Sequence, residues 1–330
     1  MIGCKNVANV YKCNGLEGEP VYMFFKTTEE GYSFGNIIYF EEMNRAQLSD
    51  PYFTPKSTYE ANIYKTTDGG KNWIKIDSVL NYSYYDIATN LNNEVYILRS
   101  DMREDFKFNL TQLNTTSGKV TNLKDIKVIS AIWNDNNKVF FTNNRDTLNL
   151  YSLVKGQVVD SVQIGHYAEQ GLSLKNKSYA IFSNTETSYL GDFDNTQVEK
   201  KLPVNPENMV KLDDDRILIA GNAVTDDTEI LIVSYNIDTR QSEVIKKFKG
   251  YSIIEDLQSN DEAIIGFIGN IEGLFVAYDF IYSLDKGKTW QVEKLEDPNY
   301  YRPSCMVGNI VYIYCGGHRF QKMDLNRNQE

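Results

Sequence analysis

The sequence predicts an all-β protein folded as a β-propeller, and three observations support this fold class. Strand-forming residues dominate the 330-residue chain, which includes 23 Tyr and 16 Phe, and aromatic and β-branched side chains favour strands. A hairpin motif of eight residues occurs twice. Short strand candidates also recur in groups of four with an even spacing, which is the sequence signature of propeller blades.

The repeated motif is a turn that contains a hydroxyl residue, an aspartate, a glycine and a tryptophan. Its two copies occupy residues 66–73 and 283–290, each between two runs of strand formers, so each predicts a β-hairpin turn. The Gly supplies a backbone angle that other residues resist, and the Asp and the hydroxyl can bond nearby N–H groups. A weaker copy at 27–34 has Glu for Asp and Phe for Trp. The defining residues are Thr66, Asp68, Gly70 and Trp73, and Ser283, Asp285, Gly287 and Trp290.

This motif resembles the Asp-box, or bacterial neuraminidase repeat, of sialidase-like β-propellers. In that family the Asp-box holds a hairpin together on the outside of a blade, away from the central pocket. The resemblance therefore implies a structural role for Asp68 and Asp285 and says little about activity. It covers only the turns, so the rest of the fold is argued from periodicity.

The strand candidates repeat along the whole chain. The last strands of successive units begin near residues 72, 120, 157, 197, 242 and 289, a spacing of about 37–48 residues. Six complete units and one incomplete unit predict a single seven-bladed propeller over residues 1–330, with six blades as the alternative. The strand missing from the last unit would come from residues 7–13, which would close the ring and remove an open sheet edge.

Candidate binding residues lie in loops and at blade starts. The predicted long loops, 43–60, 100–107, 221–229 and 268–275, mix acids, aromatics and Asn, which suits contact with a protein or a glycan. Aromatic side chains at blade starts can stack on sugars or anchor a partner. The alternative is that they fill the core between blades, with Tyr82 and Tyr84 on one strand face and Tyr85 on the other. The candidates are Tyr82, Tyr84, Tyr85, Tyr300, Tyr301 and Arg302.

Composition narrows the possible partners. The net charge of −11 argues against binding of nucleic acid, and it fits either a soluble protein or one that meets a basic partner. The sequence contains no run of 18 apolar residues, so no segment is long and apolar enough to span a membrane. Two histidines are too few for a His-based metal site, and residues 213–215 are interpreted as a solvated turn rather than a calcium site. No cofactor or metal is predicted.

The four cysteines lie only near the two ends of the chain, which a circular fold would bring into one blade. Cys13, Cys305 and Cys315 could supply a disulfide or remain buried thiols, because connectivity cannot be deduced from sequence. Residues 1–4 also resemble the end of a bacterial lipobox, although no signal-peptide core precedes them. That interpretation predicts lipidation of Cys4 and a place in the bacterial envelope or periplasm; the alternative is a chance likeness and a cytoplasmic protein.

The resemblance to sialidases raises glycoside hydrolysis as a function. Those enzymes bind the substrate carboxylate with three Arg, whose fork-shaped group matches a carboxylate, and carry a Phe/Tyr-Arg-Ile/Leu-Pro motif. That motif is absent; the nearest string is residues 301–303. The sequence therefore favours a non-catalytic module that binds a protein partner, such as an immunity or assembly-type protein of the envelope. The alternative is a glycan-directed hydrolase or lectin.

Overall fold

A computed structural model of the chain contains 27 β-strands, and these are all the regular elements in the residues that it describes. This structure describes residues 9–42, 56–89, 94–104, 107–127, 130–135, 138–143, 147–152, 157–163, 167–175, 177–183, 188–192, 202–272, 275–295 and 304–326.

The described strands form seven antiparallel sheets, numbered here in chain order. Sheet 1 contains β2 (Glu19–Phe25), β3 (Gly31–Phe40), β4 (Ser57–Thr66) and β5 (Ile74–Leu80). Sheet 2 contains β6 (Tyr82–Thr89), β7 (Glu94–Asp101), β8 (Lys107–Asn114) and β9 (Lys119–Lys127). Sheet 3 contains β10 (Ser130–Asp135), β11 (Lys138–Asn143), β12 (Thr147–Ser152) and β13 (Gln157–Gln163). Sheet 4 contains β14 (Tyr167–Leu174), β15 (Lys177–Ser183) and β16 (Ser188–Asp192).

The remaining three sheets complete the ring. Sheet 5 contains β17 (Val204–Lys211), β18 (Arg216–Ala223), β19 (Asp226–Asn236) and β20 (Gln241–Lys249). Sheet 6 contains β21 (Ile253–Ser259), β22 (Ile264–Glu272), β23 (Phe275–Ser283) and β24 (Gln291–Lys294). Sheet 7 contains β25 (Ser304–Val307), β26 (Ile310–Tyr314), β27 (Arg319–Asp324) and β1 (Asn9–Lys12).

Neighbouring sheets contact one another in chain order, and sheet 7 contacts sheet 1, so the ring is closed. The first strand of each sheet contacts the first strand of the next in most of these joints, and these strands surround the hub. The prediction of an all-β propeller is confirmed. The sequence favoured seven blades over six, and the described strands group into seven sheets. The last strand predicted for sheet 4, at 197–202, falls almost wholly outside the described residues.

The N-terminal strand closes the ring, as the sequence predicts. β1 pairs with β27 in antiparallel register, with Tyr11 opposite Phe320, so it supplies the fourth strand of sheet 7. Directly after β1, Cys13 N donates a hydrogen bond to the His318 carbonyl at 2.8 Å. This pairing satisfies the edge of β27 that would otherwise be open.

Apolar side chains fill the joints between neighbouring sheets. Separate buried clusters join sheets 1 and 2, 4 and 5, 5 and 6, 6 and 7, and 7 and 1. The second strand of a sheet is covered on both faces, so β18 is buried along nearly its whole length, whereas the outer strand β5 is mostly exposed. Burial on both faces explains why the inner strands are continuous apolar runs.

The first strands contain β-bulges, and polar side chains beyond the bulges connect the sheets around the hub. Tyr22 Oη donates to the Tyr85 carbonyl at 3.1 Å. Asn208 Nδ2 donates to the Ile254 carbonyl at 2.9 Å, and Gln170 Oε1 accepts a bond from Met209 N at 2.6 Å. A bulge turns a side chain away from simple alternation, so here it directs hydrogen-bonding groups toward the next sheet.

The predicted long loops are shorter in the structure. Most of 221–229 and 268–275 is strand, because the hairpins β18–β19 and β22–β23 continue pairing toward their tips. Residues 43–55 of the predicted loop 43–60 lie outside the described residues, and residues 57–60 belong to β4. The weak motif copy at 27–34 contains the turn between the first and second strands of sheet 1, whereas the two strong copies join third and fourth strands, and its Phe34 is fully buried in β3. Polar residues in these paired hairpins look like loop residues when only the sequence is considered.

Candidate functional site

The two tryptophan-containing turns have the same internal hydrogen bonds. In the turn between β4 and β5, Thr66 Oγ1 donates to Asp68 Oδ1 (2.9 Å) and accepts from Gly70 N (3.0 Å). Asp68 Oδ1 also accepts from Asn72 N at 2.9 Å, and the Trp73 indole N–H donates to the Gly70 carbonyl at 2.9 Å. Gly70 adopts φ +86°, a conformation that a side chain disfavours.

The turn between β23 and β24 repeats this pattern with other residues. Ser283 Oγ donates to Asp285 Oδ1 (2.9 Å) and accepts from Gly287 N (2.8 Å). Asp285 Oδ1 accepts from Thr289 N at 2.8 Å, and Trp290 Nε1 donates to the Gly287 carbonyl at 2.9 Å. Burial alone would raise the pKa of Asp285, but the hydrogen bonds from Thr289 and Ser283 outweigh it and lower this pKa. The Asp285 carboxylate thus accepts its hydrogen bonds from residues of the turn itself.

Both tryptophans pack against the preceding sheet in the ring. Trp73 lies near Phe25 of its own sheet and stacks on Phe320 of sheet 7, with ring centroids 5.7 Å apart. Trp290 makes an edge contact with Phe248 of sheet 5 at 6.1 Å. The turns therefore join adjacent sheets at one end of the ring, which we call the lower face.

The opposite end, the upper face, is where the second strand of each sheet ends and the third begins. Because all the sheets share one connectivity around the hub, these hairpin tips lie on the same side of the ring. Ten large apolar residues are exposed in the described part of the chain, and seven of them are at the upper face. These seven, the upper-face apolar set, are Ile38, Tyr39, Phe40, Leu80, Met102, Val224 and Ile271.

Five members of this set, Ile38, Tyr39, Phe40, Leu80 and Met102, belong to sheets 1 and 2. The β3–β4 hairpin extends past the last pair of β2, so residues 37–40 project beyond the first strand. Leu80 is opposite Glu60 of this hairpin, and Met102 N donates to the Asn81 carbonyl at 2.9 Å. Phe40 is 63% exposed and Leu80 55%, so this group presents apolar surface that the fold itself does not cover.

A carboxylate lies beside this group. The hydroxyls of Ser78 and Tyr39 both donate to Glu60, and Lys75 Nζ lies 3.6 Å from Glu60 Oε1. The hydrogen bond from Ser78, followed by that from Tyr39, lowers the pKa of Glu60, and Lys75 acts in the same direction. Tyr39 is therefore fixed by its hydroxyl, while its ring remains 47% exposed.

A polar cleft of about 280 Å³ opens between sheets 1 and 2 next to the same group. Arg99 lies in it with a side chain only 5% exposed and forms an ion pair with Asp77 at 2.5 Å. Thr111 Oγ1 donates to Asn109 Oδ1 at 2.5 Å deeper in the cleft. The lining residues are Asp77, Val79, Tyr82, Arg99, Asn109, Thr111, Val120 and Asn122.

The predicted tyrosines at the start of sheet 2 separate in the structure. Tyr84 is buried and Tyr85 is 42% exposed, whereas Tyr82 lines the cleft under the guanidinium of Arg103, 5.6 Å away. Arg103 in turn holds the pKa of Asp101 at about 2. Tyr82 packs against the buried cluster that contains Tyr84, whereas Tyr85 is not part of that cluster, and the bulge follows Tyr84. Tyr300, Tyr301 and Arg302 lie outside the described residues.

Three cysteines are buried free thiols. Cys305 Sγ accepts a hydrogen bond from Phe25 N at 3.0 Å, and Cys315 Sγ contacts the Ile313 carbonyl at 3.6 Å. The sequence left a disulfide among Cys13, Cys305 and Cys315 open, and the structure contains none between them. Cys13 and Cys305 belong to one buried cluster between sheets 7 and 1. Cys4 lies outside the described residues.

The described arginines are distributed over several sheets rather than converging. Arg99, Arg103 and Arg216 form ion pairs with Asp77, Asp101 and Asp213. Arg240 belongs to the β19–β20 turn and Arg319 begins β27. Within the described ranges, no three His, Cys, Asp or Glu side chains are arranged to hold a metal ion, and no helix could cross a membrane.

Sequence reasoning missed the upper-face apolar set. One signal was present: four consecutive apolar residues, Ile37 to Phe40, directly precede two glutamates in a sequence otherwise interpreted as a strand leading into a loop. The proximity of Leu80 and Met102 could not be foreseen, since it depends on how sheets 1 and 2 meet. Arg99 gave no signal, because a single Arg in a strand is usually exposed.

Comparison with known proteins shows the fold but no family. No family model and no curated protein sequence matches the chain. A chain in the crystal structure of the mitotic checkpoint complex is similar, with a TM-score of 0.60, 9% identity and coverage of 98% of this chain and 96% of that one. The β-propeller domain of the Trilobed protease from Pyrococcus furiosus has a TM-score of 0.58 and 9% identity, with coverage of 93% of this chain and 96% of that one. The WD40 β-propeller domain of Doa1 has a TM-score of 0.53 and 12% identity, with coverage of 97% of this chain and 96% of that one. These low identities support a shared propeller fold alone.

Proposed function

We propose that the chain is a non-catalytic binding module that docks a protein partner on its upper face. The observation that carries the proposal is the upper-face apolar set, which spans sheets 1, 2, 5 and 6 and accounts for seven of the ten exposed large apolar residues. Exposed apolar surface concentrated in one region marks interaction sites. A partner that covered Phe40, Leu80 and Met102 would remove them from water, which favours association.

Two further points support this proposal. One structurally similar chain is part of the mitotic checkpoint complex, so a propeller of this shape is found in a multiprotein assembly, although fold alone does not determine function. The hydrogen bonds of the Trp73 and Trp290 turns favour their assignment as Asp-boxes of structural purpose.

The envelope location, the lipid anchor at Cys4 and an immunity or assembly role rest only on residues 1–4 and on the acidity of the chain.

Glycan binding is the second candidate, and the cleft between sheets 1 and 2 favours it. The cleft is lined by the aromatic ring of Tyr82, the planar guanidinium of Arg99 and the side-chain amide of Asn109. Such groups can meet the hydroxyls and the apolar face of a sugar. Glycan-array binding that is lost on replacing Asn122→Ala, at the exposed edge of the cleft, would support this candidate over protein docking.

Site-specific photocrosslinking tests the main proposal. A photoreactive phenylalanine analogue is placed at Phe40 or Met102 on the upper face, or at Ile74, which is 70% exposed on the lower face and serves as the matched control. In cells of the source organism we expect a protein crosslink from the first two positions and none from Ile74. Equal crosslinking from all three, or none from Phe40 and Met102, would reject upper-face docking. Turnover of a fluorogenic sialoside would reject the non-catalytic assignment.

A further inference from the structure

Carboxylates accompany the apolar residues at the hairpin tips of the upper face. Phe40 is followed by Glu41 and Glu42 at the tip of β3. The other tips repeat this order, with one or two acids within three residues after the exposed apolar residue. They are Met102 before Glu104, Val224 before Asp226 and Asp227, and Ile271 before Glu272.

Much of this negative charge has no cation beside it. In the described part of the chain, Glu41, Glu42 and Asp227 are exposed and form no ion pair. Asp226 accepts hydrogen bonds from Thr228 N and Oγ1, at 3.0 and 2.7 Å, which lower its pKa and keep it ionised. The two cations in the β7–β8 segment are already engaged, Arg103 by Asp101 and Lys107 by Glu104.

Several acids of the lower face have cationic partners within the chain. Asp213 pairs with Arg216 at 2.5 Å and Asp214 with Lys211 at 2.8 Å. Lys175 contacts both Asp215 and Asp238. The acids that distinguish the upper face are Glu41, Glu42 and Asp227, because they form no ion pair in the described structure and lie within three residues of an exposed apolar side chain.

We infer that the upper face binds a basic protein segment in which apolar side chains alternate with Lys or Arg. This inference rests on the proposed function and specifies the chemistry of its partner. The apolar residues of the segment cover Phe40, Leu80 and Met102, while its cations meet Glu41, Glu42, Asp226 and Asp227. The net charge of −11 acts in the same direction, because it attracts a cationic partner over longer distances.

Selection of short random peptides against the immobilised full-length protein tests this inference. Three variants accompany the wild type: Phe40→Ser with Met102→Ser removes apolar surface, and Glu41→Lys with Glu42→Lys reverses upper-face charge. Asp261→Lys with Glu262→Lys makes the same charge change at an exposed turn of the lower face. Circular dichroism checks that each variant is folded.

The expected result is enrichment of peptides that combine Lys or Arg with aliphatic or aromatic residues. Their affinity should fall about tenfold in each upper-face variant, stay within about twofold in the lower-face control, and weaken about tenfold between about 50 and 300 mM salt. Peptides that need Phe40 and Met102 but are not basic would overturn this inference and leave the proposed function standing. Selected peptides that bind all variants equally, or a selection that enriches none, would overturn both.

Discussion

Trp73 stacks on Phe320, with ring centroids 5.7 Å apart and an interplanar angle of 23°, although the two residues lie near opposite ends of the chain. The contact joins the first sheet of the ring to the last. Phe25 and Tyr312 stack beside it at 4.1 Å, and Trp73 N donates to the Asn14 carbonyl at 2.9 Å. This tryptophan is thus part of the seal between the first and last sheets.

Replacing Trp73 with alanine should destabilise the fold by about 3–5 kcal/mol, because it removes a buried ring and leaves a cavity. Urea unfolding would measure the loss, and hydrogen exchange of residues 9–12 should accelerate as the closing strand loosens. Trp73→Phe keeps a ring and loses only the indole bond to Gly70, so it should cost less. A loss below about 1 kcal/mol for the alanine variant would show that the seal does not depend on this side chain.

Asp68 should stabilise the protein at neutral pH and lose this effect in acid. Burial would raise its pKa, but hydrogen bonds from Asn72 and Thr66 outweigh it and lower the pKa below that of the unfolded chain. Such a group contributes stability above its unfolded pKa, and the contribution is lost as pH falls through the folded pKa. Asp68→Ala should therefore cost about 1–2 kcal/mol at pH 7, and clearly less at pH 3.

Chemical denaturation of Asp68→Ala and the wild type at the two pH values checks this expectation. Asp227→Ala, at an exposed position without an ion pair in the described structure, is the control and should change stability little at either pH. A pH-independent deficit in Asp68→Ala would mean that its carboxylate charge contributes nothing to the turn.

Arg99→Met should destabilise the protein by about 3–5 kcal/mol, because it leaves Asp77 without its partner in the joint between sheets 1 and 2. Removing both charges, in Arg99→Met with Asp77→Leu, should recover much of that loss. Arg216→Met is the matched control: its pair with Asp213 is partly exposed, and its loss should cost about 1 kcal/mol or less. Equal losses in the two single variants would place Arg99 in a solvated environment instead.

The thiols of Cys13, Cys305 and Cys315 should resist modification in the folded protein. All three are buried, and burial raises the pKa of Cys13 to about 11 and that of Cys305 to about 12, so little thiolate exists at pH 8. In a Cys4→Ser background, Ellman's reagent should detect no thiol before denaturation and all three afterwards without a reductant. Detection of only one after denaturation would indicate a disulfide.

The sequence could predict features that depend on local hydrogen bonds. The turns ending in Trp73 and Trp290 were identified because the hydroxyl, Asp and Gly positions bond within eight residues. The closing strand was identified because the last unit lacked a strand. Tyr82 and Tyr84 were harder to assign, since alternation places both on one strand face but does not say whether the neighbouring sheet buries that face.

The upper face was beyond prediction for a different reason. Phe40 and Ile271 are in ordinary apolar strand sequence, and they are exposed only because their hairpins extend past the first strand of each sheet. Burial in a ring is decided by the neighbouring sheet, which a single sequence does not specify. Leu80 and Met102 show the same limit, because they meet through the joint between two sheets.

The antiparallel pairing of β1 with β27 has a practical consequence. Asn9 is opposite Lys322, so the chain enters and leaves the ring beside the Trp73 turn, on the side away from Phe40. A tether at either terminus, whether a natural anchor or a laboratory tag, would hold the molecule from beneath. Its apolar and acidic hairpin tips would then point outward, unobstructed by the support.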